Sequence, residues 1–243
     1  MKRSFSDLHA NPNLHELDAT IKFIKKAKNL DYAQIGFSVD ILSDNHSTDT
    51  IQNFCKEKHI DFVSRIDLSP RNRNELKSQL RKVRRKFEII CVKCKTKEVA
   101  RQAAQDRRVD LLNFPSLYFR NRFFDRNEAE LASNSLTALE IEAKPLLILE
   151  GSSRTRLLSF LRRETTIAND FHIPIVLSSG ATETTLLRKP REMATLLHLL
   201  DFDENSALDT ISTNPNMIVS RNRDKLSSSF VAPGIKIIQE GDC

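Results

Sequence analysis

Apolar residues in this chain alternate between two spacings. Residues 173–177 contain Ile173, Ile175, Val176 and Leu177, a short β-branched run without clean alternation, as a parallel strand buried on both faces requires. Ser178, Ser179 and Gly180 close that run, and Lys189-Pro190 opens a helix on which Met193, Leu196, Leu197 and Leu200 recur at helical spacing. The same strand, loop and helix cadence runs from the start. Strands are predicted over residues 4–9, 33–39, 60–66, 87–93, 109–113, 136–142 and 173–177. The first helix, from Asn13, carries Leu14, Leu17, Ile21 and Ile24; the second, 48–58, carries Ile51, Phe54 and Cys55. The third, 74–86, keeps Leu76, Leu80 and Val83 inward, and further helices are predicted over 96–106, 126–134 behind an Asp125 cap, and 155–171. Units of about 30 residues without a linker predict an α/β fold, a single TIM-like barrel with seven or eight parallel strands over residues 1–228. Short helices are expected over 206–212 and 215–225. Residues 229–243, broken by Pro233-Gly234, supply a last strand or a C-terminal tail.

A chain of 243 residues with 40% hydrophobic and 29% charged residues can bury a sizeable core, which excludes a disordered polymer. No apolar run approaches the roughly 20 residues of a membrane span, and the basic start MKRSFSDLHA lacks the apolar stretch of a signal peptide. A cytoplasmic protein without a membrane partner is expected. Cys91 and Cys94, three residues apart in one strand, point to opposite faces and do not make half a zinc site.

Charge changes the picture most. Lys and Arg number 38 against 32 Asp and Glu, a net +6 that favours polyanionic partners. Lys77, Arg81, Lys82, Arg84, Arg85 and Lys86 fill every angle of the third helix not claimed by its apolar stripe. Further groups are Arg107 and Arg108, Arg120 and Arg122, Arg154 and Arg156, Arg188 and Arg191, and Arg221 and Arg223. Lys77, Arg81, Arg84, Arg85 and these pairs are the expected set for a polyanion, since guanidinium forks hold phosphates and stack on bases, and the family resemblance given below makes that polyanion RNA. Arg120, Arg122, Arg154, Arg156, Arg188 and Arg191 follow strands and belong to loops at the carboxyl end of the barrel. Phe123 and Phe124 either stack bases or dock their loop on the core. Ser178, Ser179 and Gly180 lie where barrels hold phosphate, beyond strand seven.

Catalytic chemistry is thin. Asp7-Leu8-His9 resembles the opening Asp-Leu-His-x-His of the polymerase and histidinol phosphatase metallo-phosphoesterases, but Asn11 stands at the second His. His59 and His172 precede strands, at the wrong end for a shared metal. The alternative function is a metal-dependent phosphoesterase using Asp7 and His9. Glu140 and Glu142, on one face of strand six, are expected to neutralise a cation inside the barrel such as Arg65. No Gly-x-Ser-x-Gly elbow or Walker loop is present.

Seven short motifs then recur in one order. They are Asp7-Leu8-His9, the run Val109 through Pro115, Leu139-Glu140-Ile141-Glu142, Arg162-Arg163, the run Ile175 through Ala181, Lys189-Pro190-Arg191-Glu192, and the run Ile218 through Arg223. Together they resemble the archaeal ribonuclease P protein component 3 family, relatives of the eukaryotic thirty-kilodalton subunit. The resemblance implies a barrel that lost its own active site and became a scaffold for an endonuclease that removes the 5′ leader from precursor tRNA. It implies ribonuclease P RNA, protein component 2 and other protein subunits as partners, with precursor tRNA in the assembled complex. Catalysis and magnesium would belong to the RNA, and no cofactor or metal to the polypeptide.

Overall fold

The fold is taken from a computed structural model that describes residues 3–14, 16–39, 45–116, 121–232 and 235–237. Seven parallel strands follow one another around a barrel in sequence order: β1 (Ser6–Ala10), β2 (Gln34–Ser38), β3 (Asp61–Leu68), β4 (Ile89–Lys93), β5 (Leu111–Asn113), β6 (Ala138–Glu142) and β7 (Ile175–Ser178). Helices α1 (Leu17–Asn29), α2 (Asn45–Glu57), α3 (Arg73–Val83), α4 (Lys97–Gln105) and α5 (Arg126–Ser135) cover the outside between successive strands. Side chains that form the caps explain several starts: Asn72 accepts from the amides of Asn74 and Glu75, Thr96 from Val99, and Asp125 from Glu128. No helix among the described residues is long and apolar enough to cross a membrane.

Three boundaries differ from the sequence reading. Leu136 takes a left-handed conformation (φ 63°) as the cap of α5, so β6 starts at Ala138 and the Leu136 side chain stays in solvent. After β6 the chain enters a short helix, α6 (Ala143–Ile148), and α7 begins at Gly151 and runs to Asp170, one turn earlier than its apolar stripe. The helix that opens on Pro190 is split, with α8 (Pro190–Thr195) tightening into a 3-10 stretch over Leu196–Leu200.

Among the described residues the barrel has seven strands. The gap between β1 and β7 is filled near its amino end by Thr210 and Ile211, which lie between helices α9 (Glu204–Asp209) and α10 (Thr213–Leu226). Their carbonyls accept from Leu177 N (3.0 Å) and Ser6 N (2.9 Å). Near its carboxyl end the two edges meet directly, with Gly180 N donating to His9 O and Asn11 N to Ala181 O, each at 2.8 Å. Residues 230–232 and 235–236 do not join the barrel; as β8 (Phe230–Ala232) and β9 (Ile235–Lys236) they pair antiparallel with each other. Helix α10 crosses the floor. Its Ile218 and Val219 pack with Leu8, Val63, Ile89, Cys91, Leu111, Ala138 and Val176 in an interior layer. Cys94 belongs instead to the outer layer with Leu80 and Val99, so the two cysteines do face opposite ways.

Strand β1 carries the irregularity that shapes the interior. Asp7 pairs with Ile35 and Ala10 with Phe37, so Leu8 and His9 together oppose the single residue Gly36. This bulge brings both Leu8 and the His9 ring inside. It also presses the backbone of Leu8 onto β2, where a Cβ on Gly36 would lie 2.7 Å from the Leu8 carbonyl oxygen. Gly36→Ala is therefore expected to cost about 1–3 kcal/mol by overpacking, seen as a lower urea midpoint at constant slope; an unchanged midpoint would refute this account of the bulge.

Candidate functional site

The upper half of the barrel interior is polar. Arg65 of β3 is the largest fully buried side chain, and it holds Glu140 of β6 in a two-point contact at 2.5 and 2.7 Å. Its Nε donates to Asp67 (2.8 Å) and one Nη to the Leu8 carbonyl that the bulge exposes (3.1 Å). The expected neutralisation of Arg65 is thus met by Glu140. Glu142 does something else: it accepts from Asn113 Nδ2 (2.8 Å) and lies 3.3 Å from His9 Nδ1. His9 Nε2 is 3.2 Å from Asp67, whose same oxygen is 3.3 Å from Lys93 Nζ. The His9 contacts are ion-pair distances rather than aligned hydrogen bonds.

These charges cancel. Burial and the Arg65 charge disfavour a proton on His9, but the carboxylates of Asp67 and Glu142 outweigh them and lift its pKa to about 9. Burial pushes the Glu140 carboxyl up, while the Arg65 guanidinium pulls it down to about 2. Burial likewise raises Asp67, yet Arg65, His9 and Lys93 hold it well below the usual carboxylate range. Three cations, His9, Arg65 and Lys93, thereby balance three anions, Asp67, Glu140 and Glu142. His9, Glu140 and Glu142 do place one ligand atom each within 4.8 Å of one another. A divalent ion does not fit that set, because Asn113 already donates to both carboxylates and two permanent side-chain cations supply the neutralising charge. Asp7 takes no part. Its Oδ1 accepts from the amides of His9 (3.2 Å) and Ser179 (2.9 Å), and its charge is felt by Tyr32 in the helix layer outside. Asp7 and His9 thus do not converge on one ion.

The small-residue loop is also committed inward, contrary to the expected phosphate site. Ser178 Oγ donates to Glu140 (2.8 Å), Ser179 N to Asp7, Gly180 N to His9 O, and Ala181 N to Ser179 Oγ (3.1 Å). Ser178, Ser179 and Gly180 are buried, and the Glu142 carboxylate stands against Gly180. Every amide a phosphate would use is spent, beside a negative charge.

The basic residues divide into struts and free cations. Arg122 is buried, paired with Glu164 and donating to the carbonyls of Phe114 (3.1 Å) and Pro115 (3.2 Å), so it is no RNA ligand; it pins the loop before α5. Phe124, fully buried edge-on to Phe114, docks the same loop rather than offering itself to a base. Arg223 is held by Asp61, Glu88 and the Phe62 carbonyl at the barrel floor, and Arg108 by Asp106 at 2.7 and 2.8 Å. Arg188 turns its guanidinium back onto the carbonyls of Thr185 (2.6 Å) and Leu187 (3.1 Å) in the segment after β7. The Arg191 guanidinium does not line the carboxyl end: it lies 6.0 Å from the Phe5 ring, next to the start of β1. Arg154 and Arg156 are exposed on the first turns of α7, and Arg120 lies outside the described residues.

Besides these α7 arginines, one flank gathers exposed cations: Lys77 and Arg81 on α3, Arg85 just past its end, and Arg107 beyond α4. Arg84 and Arg221 join them through Asp110, a fully buried carboxylate 3.7 Å from Arg84 and 3.1 Å from Arg221 that also accepts from Ile90 N. Sequence reading had the cations but missed this acid; an aspartate at the start of an otherwise apolar strand was the available signal. It likewise missed Asp67, Lys93 and Asn113 in the mouth, whose signal is polar residues at the carboxyl ends of buried strands.

A parallel barrel with a self-neutralised mouth and a cationic flank is the class of molecule these features define. The family model described as RNase P subunit p30 matches residues 4–227, and the chain belongs to that family. Ribonuclease P protein component 3 of Methanosarcina barkeri is 33% identical over 177 residues, 73% of each chain. The component 3 of Methanococcoides burtonii is 26% identical over 247 residues, covering 98% of this chain and 95% of the relative. In fold, the chain is similar to one in a cryo-EM structure of archaeal ribonuclease P with mature tRNA, with a TM-score of 0.85 at 22% identity, covering 98% of this chain and 99% of that one.

Arg65→Met should cost about 3–5 kcal/mol in urea unfolding, because it strands two buried carboxylates, and pairing it with Glu140→Met should return part of that loss. A mild single-variant effect would mean the network is not the keystone. Since the folded pKa of His9 exceeds its ordinary 6.5, its contribution to stability is complete below that pH and disappears as pH rises through about 9. His9→Gln should flatten the decline in stability between those values; a decline as steep as that of the wild type would disprove the assignment.

Proposed function

We propose that this chain is a protein subunit of ribonuclease P that binds the catalytic RNA and supports removal of the 5′ leader from precursor tRNA. Membership of the p30 family supports the assignment, and the α3 flank supplies its physical content. Lys77, Arg81, Arg85 and Arg107 project without burial, so they neutralise phosphates at little desolvation cost, whereas Arg122 and Arg223 are consumed by the fold. The RNA carries the hydrolytic magnesium, and the polypeptide binds no cofactor of its own. Protein component 2 and the other protein subunits are its partners in the assembled complex, in the cytoplasm. The alternative, a metal-dependent phosphoesterase built on Asp7 and His9, has no supporting geometry, because those side chains face opposite layers and the mouth is already neutral.

The triple variant Lys77→Glu, Arg81→Glu and Arg85→Glu should keep the wild-type thermal midpoint while weakening RNA binding. Every phosphate that the variant no longer neutralises should lower the slope of log affinity against log salt by roughly 0.7–0.9. Arg84 is left out of that variant because of its bond to Asn222 (3.3 Å) and its proximity to Asp110. Binding and slope equal to wild type would remove α3 from the RNA surface. Reconstituted cleavage at low magnesium should be faster with this chain than without it, and equal rates would contradict the subunit assignment.

A further inference from the structure

Beside α10 the barrel floor opens into a groove of about 1230 Å³. One wall is the end of α5 with Leu136, the base is the α10 face through Met217 and Ser220, and the other wall is the β8–β9 hairpin with Phe230. Leu136 is 62% exposed and Met217 54%, and Val231, Ile235 and Ile237 of the hairpin segment are similarly open. Five of the eight large apolar side chains exposed among the described residues therefore lie in the groove or on the hairpin that walls it. Arg84, Arg107, Arg221 and Lys225 form the rim, against one acid, Asp224.

We propose that this groove docks an amphipathic helix of a protein partner whose apolar stripe is bordered by Asp and Glu. The cavity exceeds the roughly 300–1,000 Å³ that small molecules occupy. Helix α10 has 14 residues and is about 21 Å long, enough to lie against three or four turns of another helix. Apart from Phe230 on one wall, the large apolar lining is aliphatic and thioether rather than planar. RNA recognition draws on phosphates and stacking planes, which would leave Leu136 and Met217 exposed. A second copy is disfavoured because its rim would bring like charges together, whereas carboxylates flanking an apolar stripe complement both features at once. Lys225 is depressed by its own burial and by neighbouring Arg221 and Arg84, which outweigh Asp110, so positive charge dominates the rim. The docking site shares Arg84, Arg107 and Arg221 with the cationic flank, but its apolar lining takes no part in the RNA assignment, which rests on Lys77, Arg81 and Arg85 on the outward side.

The test uses the full chain and two labelled 14-residue helical peptides with the same leucine stripe, one flanked by Glu and one by Lys, read by fluorescence anisotropy. The Glu-flanked peptide should bind, and the Lys-flanked one should be weaker by roughly tenfold or more. Leu136→Glu with Met217→Glu should abolish binding of the acidic peptide while leaving the thermal midpoint and the RNA affinity of the α3 flank unchanged. Arg107→Glu, at an exposed position, gives an independent variant that should weaken the acidic peptide several-fold. Equal affinity for both peptides, or none for either, overturns the proposal. So does loss of RNA binding in the Leu136 and Met217 variant, which would make the groove an RNA surface. Binding that appears only after removal of residues 238–243 would assign the groove to the chain's own end, and a dimer abolished by the same variant would assign it to a second copy.

Discussion

A guanidinium with no exposure to water must find its counter-charges within the fold, and Arg65 finds them on two other strands: the Glu140 carboxylate across the barrel and the Leu8 carbonyl that a bulge turns inward. That constraint ties β1, β3 and β6 together and fixes what each neighbour can be. Asp67 must be ionised, Glu140 must be ionised, and His9 between Asp67 and Glu142 is better charged than neutral. A buried ion network of this kind adds little net stability over a well-packed apolar core, but removing any one member is costly. The interior therefore resists piecemeal change, and a chemically adventurous substitution at the mouth is also a structural one.

Much of the barrel was legible in the sequence because two signals agreed at each step, an unalternating apolar run followed by a helical stripe. Cap residues such as Asp125 sharpened the starts. The misses have local causes. Leu136 is apolar and precedes an apolar run, yet its left-handed backbone ends a helix instead of starting a strand. No periodicity announces that a gap between strands is closed by two carbonyls, as Thr210 and Ile211 do, because that role needs no side chain at all.

The site was half legible for a different reason. Residue type reveals charge but not who neutralises it. Arg122 and Arg85 look alike along the chain; the first meets Glu164, 42 residues away, and the second meets solvent. Ser178, Ser179 and Gly180 have the composition of an anion cradle, but their donors were claimed by Asp7, His9 and Glu140. In each case the deciding partner is remote in sequence, so composition alone sets which surfaces are candidates and only the fold sets which are free. The Glu140 pairing with Arg65 was readable because strand alternation placed both residues on interior faces.

The seam between the first and seventh strands has a consequence for biogenesis. Ser6 waits for Ile211, the Ser4 carbonyl for Asn216, and Arg3 for Asp209, all more than 200 positions later. While the polypeptide emerges from the ribosome, β1 can pair on one side only, and its other edge stays open until the roughly 200 residues that separate Ser6 from Ile211 have been translated. A barrel closed by contacts so distant in sequence is exposed to wrong strand partners while the intervening residues are made, so the pace of translation and the availability of chaperones bear on its yield more than on that of a fold built from local contacts.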